Sequence, residues 1–426
     1  MTHPKMLYTY VGVDSHKDEH TAVFLDCFFE KLGELTVPNL PSAYEGFLYE
    51  AEKLKADGTG LLFGLEDVSA YGRTLAAFLL KRERPVKHVN ARLVAMERKS
   101  RNITEKTDSV DAECTARVLL SKFTELPDAD LQDKYWILRT LVIRRNFIVK
   151  TGTRLKNHLH TLLTHHYPNY TAFFRDTFCK TSLAFFTSFP SPSCLANVSL
   201  ETLAGFLHEL SNGKHSYVTA EKILRSLENT EVQFQEIRDM AVRSAIRQIE
   251  SGMHEIERIE EAMAEFLDRF GCTLTSMTGI DIVTAAKLLS CIGDIRKFPS
   301  PAKLARYSGV APVTYASGRK EIQWRDQRGN RELHSVIYGL AVRLIGTVSY
   351  KNTVLNPFFY EYYLRKLSEG KTKRQALKCV ERRLVNIIWN MLTHDEEYIN
   401  PPMYSVPKHG TIRESKEFSH DLRRRP

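Results

Sequence analysis

Between residues 8 and 122 the chain alternates short apolar runs and helical periodicities in an order few folds accommodate. Tyr8 to Val13 is a strand-like run, His20 to Leu25 follows a charged turn, and Glu34 to Val37 completes a meander of three strands. Apolar spacing then predicts a helix over Ala43 to Lys55, a strand at Gly60 to Leu65, a helix over Tyr71 to Lys81, a strand at Val86 to Val89, and a helix over Ser109 to Lys122. A meander that gives way to alternating helix and strand builds a mixed sheet with helices against it.

Downstream the periodicity becomes purely helical. From Lys134 to about Leu163, Leu138, Leu141, Ile148, Leu155, Leu159 and Leu162 share one helix face. Val242, Ile246, Ile249, Met253, Ile256, Met263 and Phe270 follow a four-three spacing, interrupted near Glu260, which suggests a coiled coil or long antiparallel hairpin. A Phe-, Pro- and Ser-containing stretch from Phe173 to Ser216 reads as a small helical insertion. After Gly271, two short helices around Gly279 and another over Leu333 to Ile345 predict a compact, mostly helical domain, and from Pro401 the chain is polar and ends in three arginines. The expected fold is therefore multidomain: an α/β ribonuclease-H-like domain over 1–128, a helical coiled-coil region over 129–270, a mostly α domain over 271–400, and a basic flexible tail over 401–426.

The net charge of +9 narrows the partners to polyanions, either nucleic acid or an anionic membrane surface. No apolar run approaches the roughly 20 residues of a membrane span, and the N-terminus lacks the apolar core of a signal peptide. Nucleic acid and a cytoplasmic location are the better expectation. The seven cysteines are scattered, odd in number and without a Cys-x-x-Cys pair, which argues for reduced thiols rather than a disulfide framework or structural zinc.

Four carboxylates stand where the sheet would gather them. Asp14 ends the first strand in Val-Gly-Val-Asp, Glu66 ends the fourth in Phe-Gly-Leu-Glu, and Asp108 and Asp111 open the last helix, spaced to lie on one face. Attack on a phosphodiester builds charge on the phosphorus oxygens and the leaving oxygen, which two metal ions about 4 Å apart neutralise. Hard magnesium suits a site of carboxylates and water. Each acid also has a structural reading: Asp108 as a helix N-cap, Asp14 and Glu66 as strand-end turn residues. The neighbouring Asp18 and Glu19 read as solvated.

Residues 134 to 175 contain eight Lys or Arg and no Asp or Glu. Solvated helices usually interleave both signs, so Arg139, Arg144, Arg145, Lys150, Arg154 and Lys156 are candidates for phosphate-backbone contact. A second basic segment holds Arg319, Lys320, Arg325, Arg328 and Arg331, and Lys371, Lys373, Arg374, Arg382 and Arg383 add positive surface.

These residues together resemble the DEDD-type insertion-sequence transposases, the insertion-sequence one-ten group and its pilin-gene-inverting relatives. The motifs run from Val11-Gly-Val-Asp14-Ser-His-Lys17 and His20 through Glu66, Tyr71-Gly72, Val89-Asn90 and Lys106-Thr-Asp108-Ser-Val-Asp111-Ala112. They continue in Arg154-Leu-Lys-Asn157, Lys180-Thr-Ser, Thr278-Gly279-Ile280, Gly293-Asp294, Phe298, Tyr307-Ser-Gly309-Val-Ala-Pro312, Ser317-Gly318 and Gly329-Asn330-Arg331-Glu-Leu333. The resemblance implies a RuvC-like domain whose magnesium ligands are Asp14, Glu66, Asp108 and Asp111, a coiled-coil connector, and a transposase domain with Ser317 as nucleophile. It further implies a noncoding bridge RNA pairing with donor and target DNA, and assembly from dimer to tetramer with a site shared between protomers. Two departures stand out: Asp281 where members often have Gly, and Gln323-Trp-Arg-Asp326 after the serine. By pattern alone Ala-Ser-Gly around Ser317 is also an ordinary turn. Rival readings are a Holliday-junction-type nuclease using the acids alone, a protein-only DNA invertase, and a nonenzymatic nucleic-acid-binding protein with a structural metal.

Overall fold

The computed structural model describes residues 3–66, 70–129, 133–215, 217–227, 234–317, 320–325, 329–348 and 353–399, so the tail expected over 401–426 lies outside the described residues. The chain divides into two compact units, residues 1–259 and 260–426.

In the first unit, β1 (Tyr8–Ser15), β2 (Glu19–Leu25) and β3 (Lys31–Pro38) form the antiparallel meander. After α1 (Tyr44–Leu54), β4 (Gly60–Leu65) lies parallel to β1, and after α2 (Arg73–Lys81), β5 (Val86–His88) lies parallel to β4. Among the described residues these five strands make one sheet in the order β3-β2-β1-β4-β5. The central strands are buried on both faces, hence their near-continuous apolar runs. One face carries Tyr44, Phe47 and Ala51 of α1 with Leu75 and Leu79 of α2. The other carries α3 (Ala91–Ser100) and α4 (Asp108–Lys122), through Val94, Cys114, Val118 and Leu119.

Gly12 sets how closely α4 lies on the sheet. A Cβ built there would sit 2.1 Å from the Ala116 nitrogen and 2.2 Å from the Ala112 oxygen. Backbone therefore packs on backbone, with Ala112 and Ala116 small enough to allow it. Helix α3 is absent from the periodicity reading. It buries only Val94, so it has almost no apolar stripe to detect, and its start is fixed by Asn90, whose side chain accepts from Arg92 N–H at 2.9 Å.

Helix α5 (Asp133–His166) leads into α6 (Lys180–Ser188), α7 (Leu200–Leu210) and α8 (Tyr217–Arg225), followed by α9 (Gln235–Arg269). Leu159 and Leu163 of α5, Val242, Ile246 and Ile249 of α9, and an aromatic group of Tyr167, Phe173, Phe174, Phe185 and Phe186 share one core. The insertion is thus packed against the end of α5 and the start of α9. Phe270, expected to continue the α9 stripe, is 54% exposed. The helix stops first: Gly271 adopts φ +59° and Cys272 N–H bonds back to Leu267 O at 3.0 Å.

Among the described residues the second unit is mainly helical, with one two-stranded hairpin and a shorter antiparallel pairing of Thr347–Val348 with Thr353–Val354. It comprises α10 (Ile282–Ile292), α11 (Pro301–Tyr307), the antiparallel pair β6 (Pro312–Ser317) and β7 (Lys320–Arg325), α12 (Arg331–Ile345), α13 (Pro357–Ser368) and α14 (Lys373–His394). Helix α12 packs on α10, α13 and α14. Of the two short helices expected around Gly279, the first is only a 3-10 turn, Thr273–Ser276. The 22-residue α14 was not anticipated, although Thr372 and Gln375 form a capping box that marks its start. Among the described residues no helix is long and apolar enough to cross a membrane.

Candidate metal and nucleic-acid site

The sheet topology brings the acids together. Val13 pairs with Leu65 in parallel register, so the next residues, Asp14 and Glu66, leave neighbouring strand ends side by side. Asp14 is buried and Glu66 half-buried. The close approach at Gly12 sets the first turn of α4 over this edge, where Asp111 is buried and Asp108 exposed. Asp108 is not the N-cap. Thr107 is, its hydroxyl accepting from Val110 N–H at 3.2 Å, which leaves the Asp108 carboxylate available for other partners.

An imidazole joins the carboxylates. His16 Nε2 lies 3.1 Å from Asp14 Oδ2 and 3.3 Å from Asp108 Oδ1. One donor atom from each of Asp14, His16 and Asp108 falls within 4.8 Å of the others, a grouping able to hold a metal ion. The β1–β2 turn carrying His16 is pinned by Asn39, whose amide donates to His16 O at 3.4 Å and Lys17 O at 3.1 Å. Asp111 is engaged differently: Arg98 of α3 pairs with its carboxylate.

Electrostatics mark the site as short of positive charge. Burial pushes the Asp14 carboxyl up, and Asp111 and Asp108 add to this against the pull of His16. Burial likewise raises Glu66, reinforced by Asp14 and Asp111 and opposed by Lys106 and Arg98. Burial works against a charged His16, yet Asp14 and Asp108 outweigh it and hold the imidazole above its ordinary value. Sequence reading missed His16 and Arg98 as site residues. His16 stood two positions after the strand-end Asp14, inside a motif already noted; Arg98 sat on the unpredicted α3.

The basic strip falls on α5. At roughly 100° per residue, Arg139, Lys150 and Arg154 lie within about 60° of one another, whereas Arg144, Arg145 and Lys156 point elsewhere. The first three share their arc with Trp136, Ile143 and Phe147, which are 39%, 54% and 60% exposed. On the same helix, His160 is occupied internally, 2.5 Å from the Tyr170 hydroxyl and edge-on to Phe178.

In the second unit Ser317 is the last residue of β6, in register with Lys320, while Arg325 pairs with Pro312. Arg319 and Arg328 lie outside the described residues. The hairpin leaves through Gly329, where a Cβ would meet Gly309 N at 2.4 Å. Asn330 N–H donates to Tyr307 O at 2.6 Å, and the Asn330 side chain caps α12, which the exposed Arg331 begins. Asp281 has a structural use. It caps α10 by accepting from Thr284 N–H at 2.7 Å and pairs with Arg343 at 2.8 Å. Burial pushes its carboxyl up, but Thr284 and Arg343 outweigh this and hold it below the usual range.

Comparison with known proteins covers the same two regions. Residues 11–168 match a family model of the DEDD, IS110 type described as "Transposase", and residues 272–354 match one described as "Transposase IS116/IS110/IS902 family". The uncharacterized protein of insertion element IS116 from Streptomyces clavuligerus is 26% identical over 92% of this chain and 96% of its own length. That of IS900 from Mycobacterium paratuberculosis is 24% identical over 91% and 96%. The pilin gene-inverting protein of Moraxella bovis is 29% identical over 34% of this chain and 43% of its own.

Proposed function

Because the chain belongs to the IS110/IS116 family of insertion-sequence transposases, we propose that it cuts and rejoins DNA with a divalent-metal site on the N-terminal sheet and a covalent step at Ser317. The observation that carries this reading is the convergence of Asp14, His16 and Asp108 at the end of β1, with Glu66 and Asp111 charging the same place. The strand order supports a ribonuclease-H-like, RuvC-like domain.

The donor set fits a divalent cation. The Asp14 and Asp108 carboxylates gather with the His16 imidazole, and Asp14 and Glu66 are both raised, a repulsive arrangement that a bound cation relieves. A bound divalent ion such as magnesium neutralises charge on the scissile phosphate and its leaving oxygen. Asp14, Glu66, Asp108 and Asp111 would hold one or two such ions, with Asp111 positioned by Arg98. Ser317 Oγ attacks phosphorus, the new serine phosphoester forms as the P–O bond to the sugar breaks, and the sugar hydroxyl leaves with the proton. The phosphoserine conserves the energy of the cut bond, so rejoining needs no ATP. Lys320, Arg325 and Arg331, with Arg319 and Arg328, balance the developing charge. The basic face of α5 holds phosphate backbone.

Donor and target DNA are read through a bridge RNA, and the working assembly is a dimer to tetramer in a bacterial or archaeal cytoplasm. Purifying the protein from cells expressing its element's noncoding flanks, then sequencing the bound nucleic acid, tests the RNA. One discrete transcript from the flank is expected. Heterogeneous or no RNA, with flank expression verified, contradicts RNA guidance and favours the protein-only invertase.

A further inference from the structure

Resting on the metal-site reading above, we propose that His16 is a metal ligand. With Asp14 and Asp108 it makes a mixed nitrogen–oxygen site that prefers a first-row transition ion such as Mn2+ over Mg2+. Three observations support it. The His16 Nε2 separations from Asp14 and Asp108 are 3.1 and 3.3 Å. Adjacent ligands of an octahedral ion with roughly 2.1 Å bonds stand about 3.0 Å apart, so the three donors need little rearrangement. The charge also balances: two carboxylates and a neutral imidazole neutralise one divalent ion, and Asp111 already has Arg98 as its counter-charge. Finally, the His16 side chain is half-exposed, so packing alone does not fix its ring against the acids. Its backbone is instead held by Asn39, on the turn beside the cluster.

The consequence is selectivity. Magnesium favours oxygen donors and gains little from imidazole, whereas nitrogen donors raise affinity for transition ions. Glu66, beside Asp14 but outside the three-donor group, is left to hold a second ion or its water.

The test uses full-length protein freed of metal, with Mn2+ as probe and Mg2+ as competitor. Electron spin echo spectra of bound Mn2+ report a directly coordinated nitrogen. The wild type is expected to show nitrogen-14 modulation and to bind Mn2+ roughly tenfold or more tighter than Mg2+. In His16→Gln the modulation disappears while Mn2+ still binds, and its affinity falls roughly tenfold or more with Mg2+ affinity little changed. Bound Mn2+ without nitrogen modulation in the wild type overturns the proposal, as does His16→Gln binding Mn2+ equally or more tightly. In that second case His16 is a counter-ion that metal displaces. Asp14→Asn separates the two levels. If it binds Mn2+ as well as wild type, the metal-site reading fails. If it loses Mn2+ while His16→Gln is unchanged, only the His16 inference fails.

Discussion

The acidic cluster and the Ser317 hairpin are built on opposite principles. Asp14, Glu66, Asp108 and Asp111 come from three segments spread over the first quarter of the chain and meet because a five-stranded sheet and one helix contact gather them. Ser317 ends a strand with a single, sequence-adjacent partner in a two-stranded ladder. An isolated two-stranded ladder is marginally stable in water, so its tertiary anchors matter, among them the Gly309–Gly329 backbone contact and the Asn330 hydrogen bond to Tyr307. The proposed metal donors are preorganised by topology. The serine's position depends on a few local contacts, which would suit the role proposed for it, meeting a phosphate within an assembled complex.

The sharpest way to break this comparison is Asp14→Asn, which removes a central donor while keeping the side chain's size. DNA excision and strand joining are expected to fall by about 10^3-fold or more, with thermal stability of the metal-free protein unchanged or higher, since one repelling charge is gone. A variant that unfolds, or that still recombines within tenfold of wild type, removes Asp14 from the role assigned here.

Gly12→Val tests the topological half. Its branched side chain must displace α4 backbone, so a loss of about 3 kcal/mol or more is expected, or roughly 6–12 °C in the melting temperature of the first unit. Gly152 is the control: on α5, with nothing within 4 Å of an added Cβ, Gly152→Ala is expected to be neutral or to stabilise by about 0.5–1 kcal/mol. Equal effects at the two glycines would contradict the close helix–sheet contact. Gly329→Ala probes the local half and is expected to cost about 1–3 kcal/mol. Recombination should be lost while the first unit's melting transition stays put. If that transition moves as well, the hairpin's anchoring is not local.

The smallest effect concerns Asp281, and it carries a pH signature. Its carboxyl is held below the ordinary 3.8, so the folded state binds fewer protons than the unfolded one. The stabilisation is present above that value and is lost as pH falls through the depressed one. Asp281→Ala is expected to cost about 1 kcal/mol at neutral pH. Asp281→Asn keeps the cap and should cost less while flattening the acid limb of denaturation curves below about pH 4. An unchanged acid limb in Asp281→Asn would assign that dependence to other carboxylates.

Strand order and the sites of the four acids were legible because central parallel strands leave long apolar runs, and because Asp14 and Glu66 each directly follow one. Helix α5 and the first half of α9 were legible from their buried stripes. What periodicity does not reveal is contact between distant side chains. His16 enters the cluster through a turn, Arg98 rides on a helix with one buried apolar residue, and Gly12 reads as an unremarkable glycine until α4 lies across it. Helix α13 and helix α14 were missed for another reason: their charged residues obscure the stripe, although Asn356 and Thr372 cap their starts. Asp281, a departure from the Gly often found there in the resembling family, is a helix cap paired with Arg343.

The central claim is that the acidic site and Ser317 serve one reaction. The most direct measurement incubates the protein with element-end DNA, flank-derived RNA and divalent metal, then isolates any denaturant-resistant protein–DNA adduct and maps it by mass spectrometry. The account predicts an adduct on Ser317 in the wild type, absent from both Ser317→Ala and Asp14→Asn. DNA cleavage that persists in Ser317→Ala without any adduct, or an adduct mapped to another residue, would contradict it and leave the acids as a nuclease acting alone.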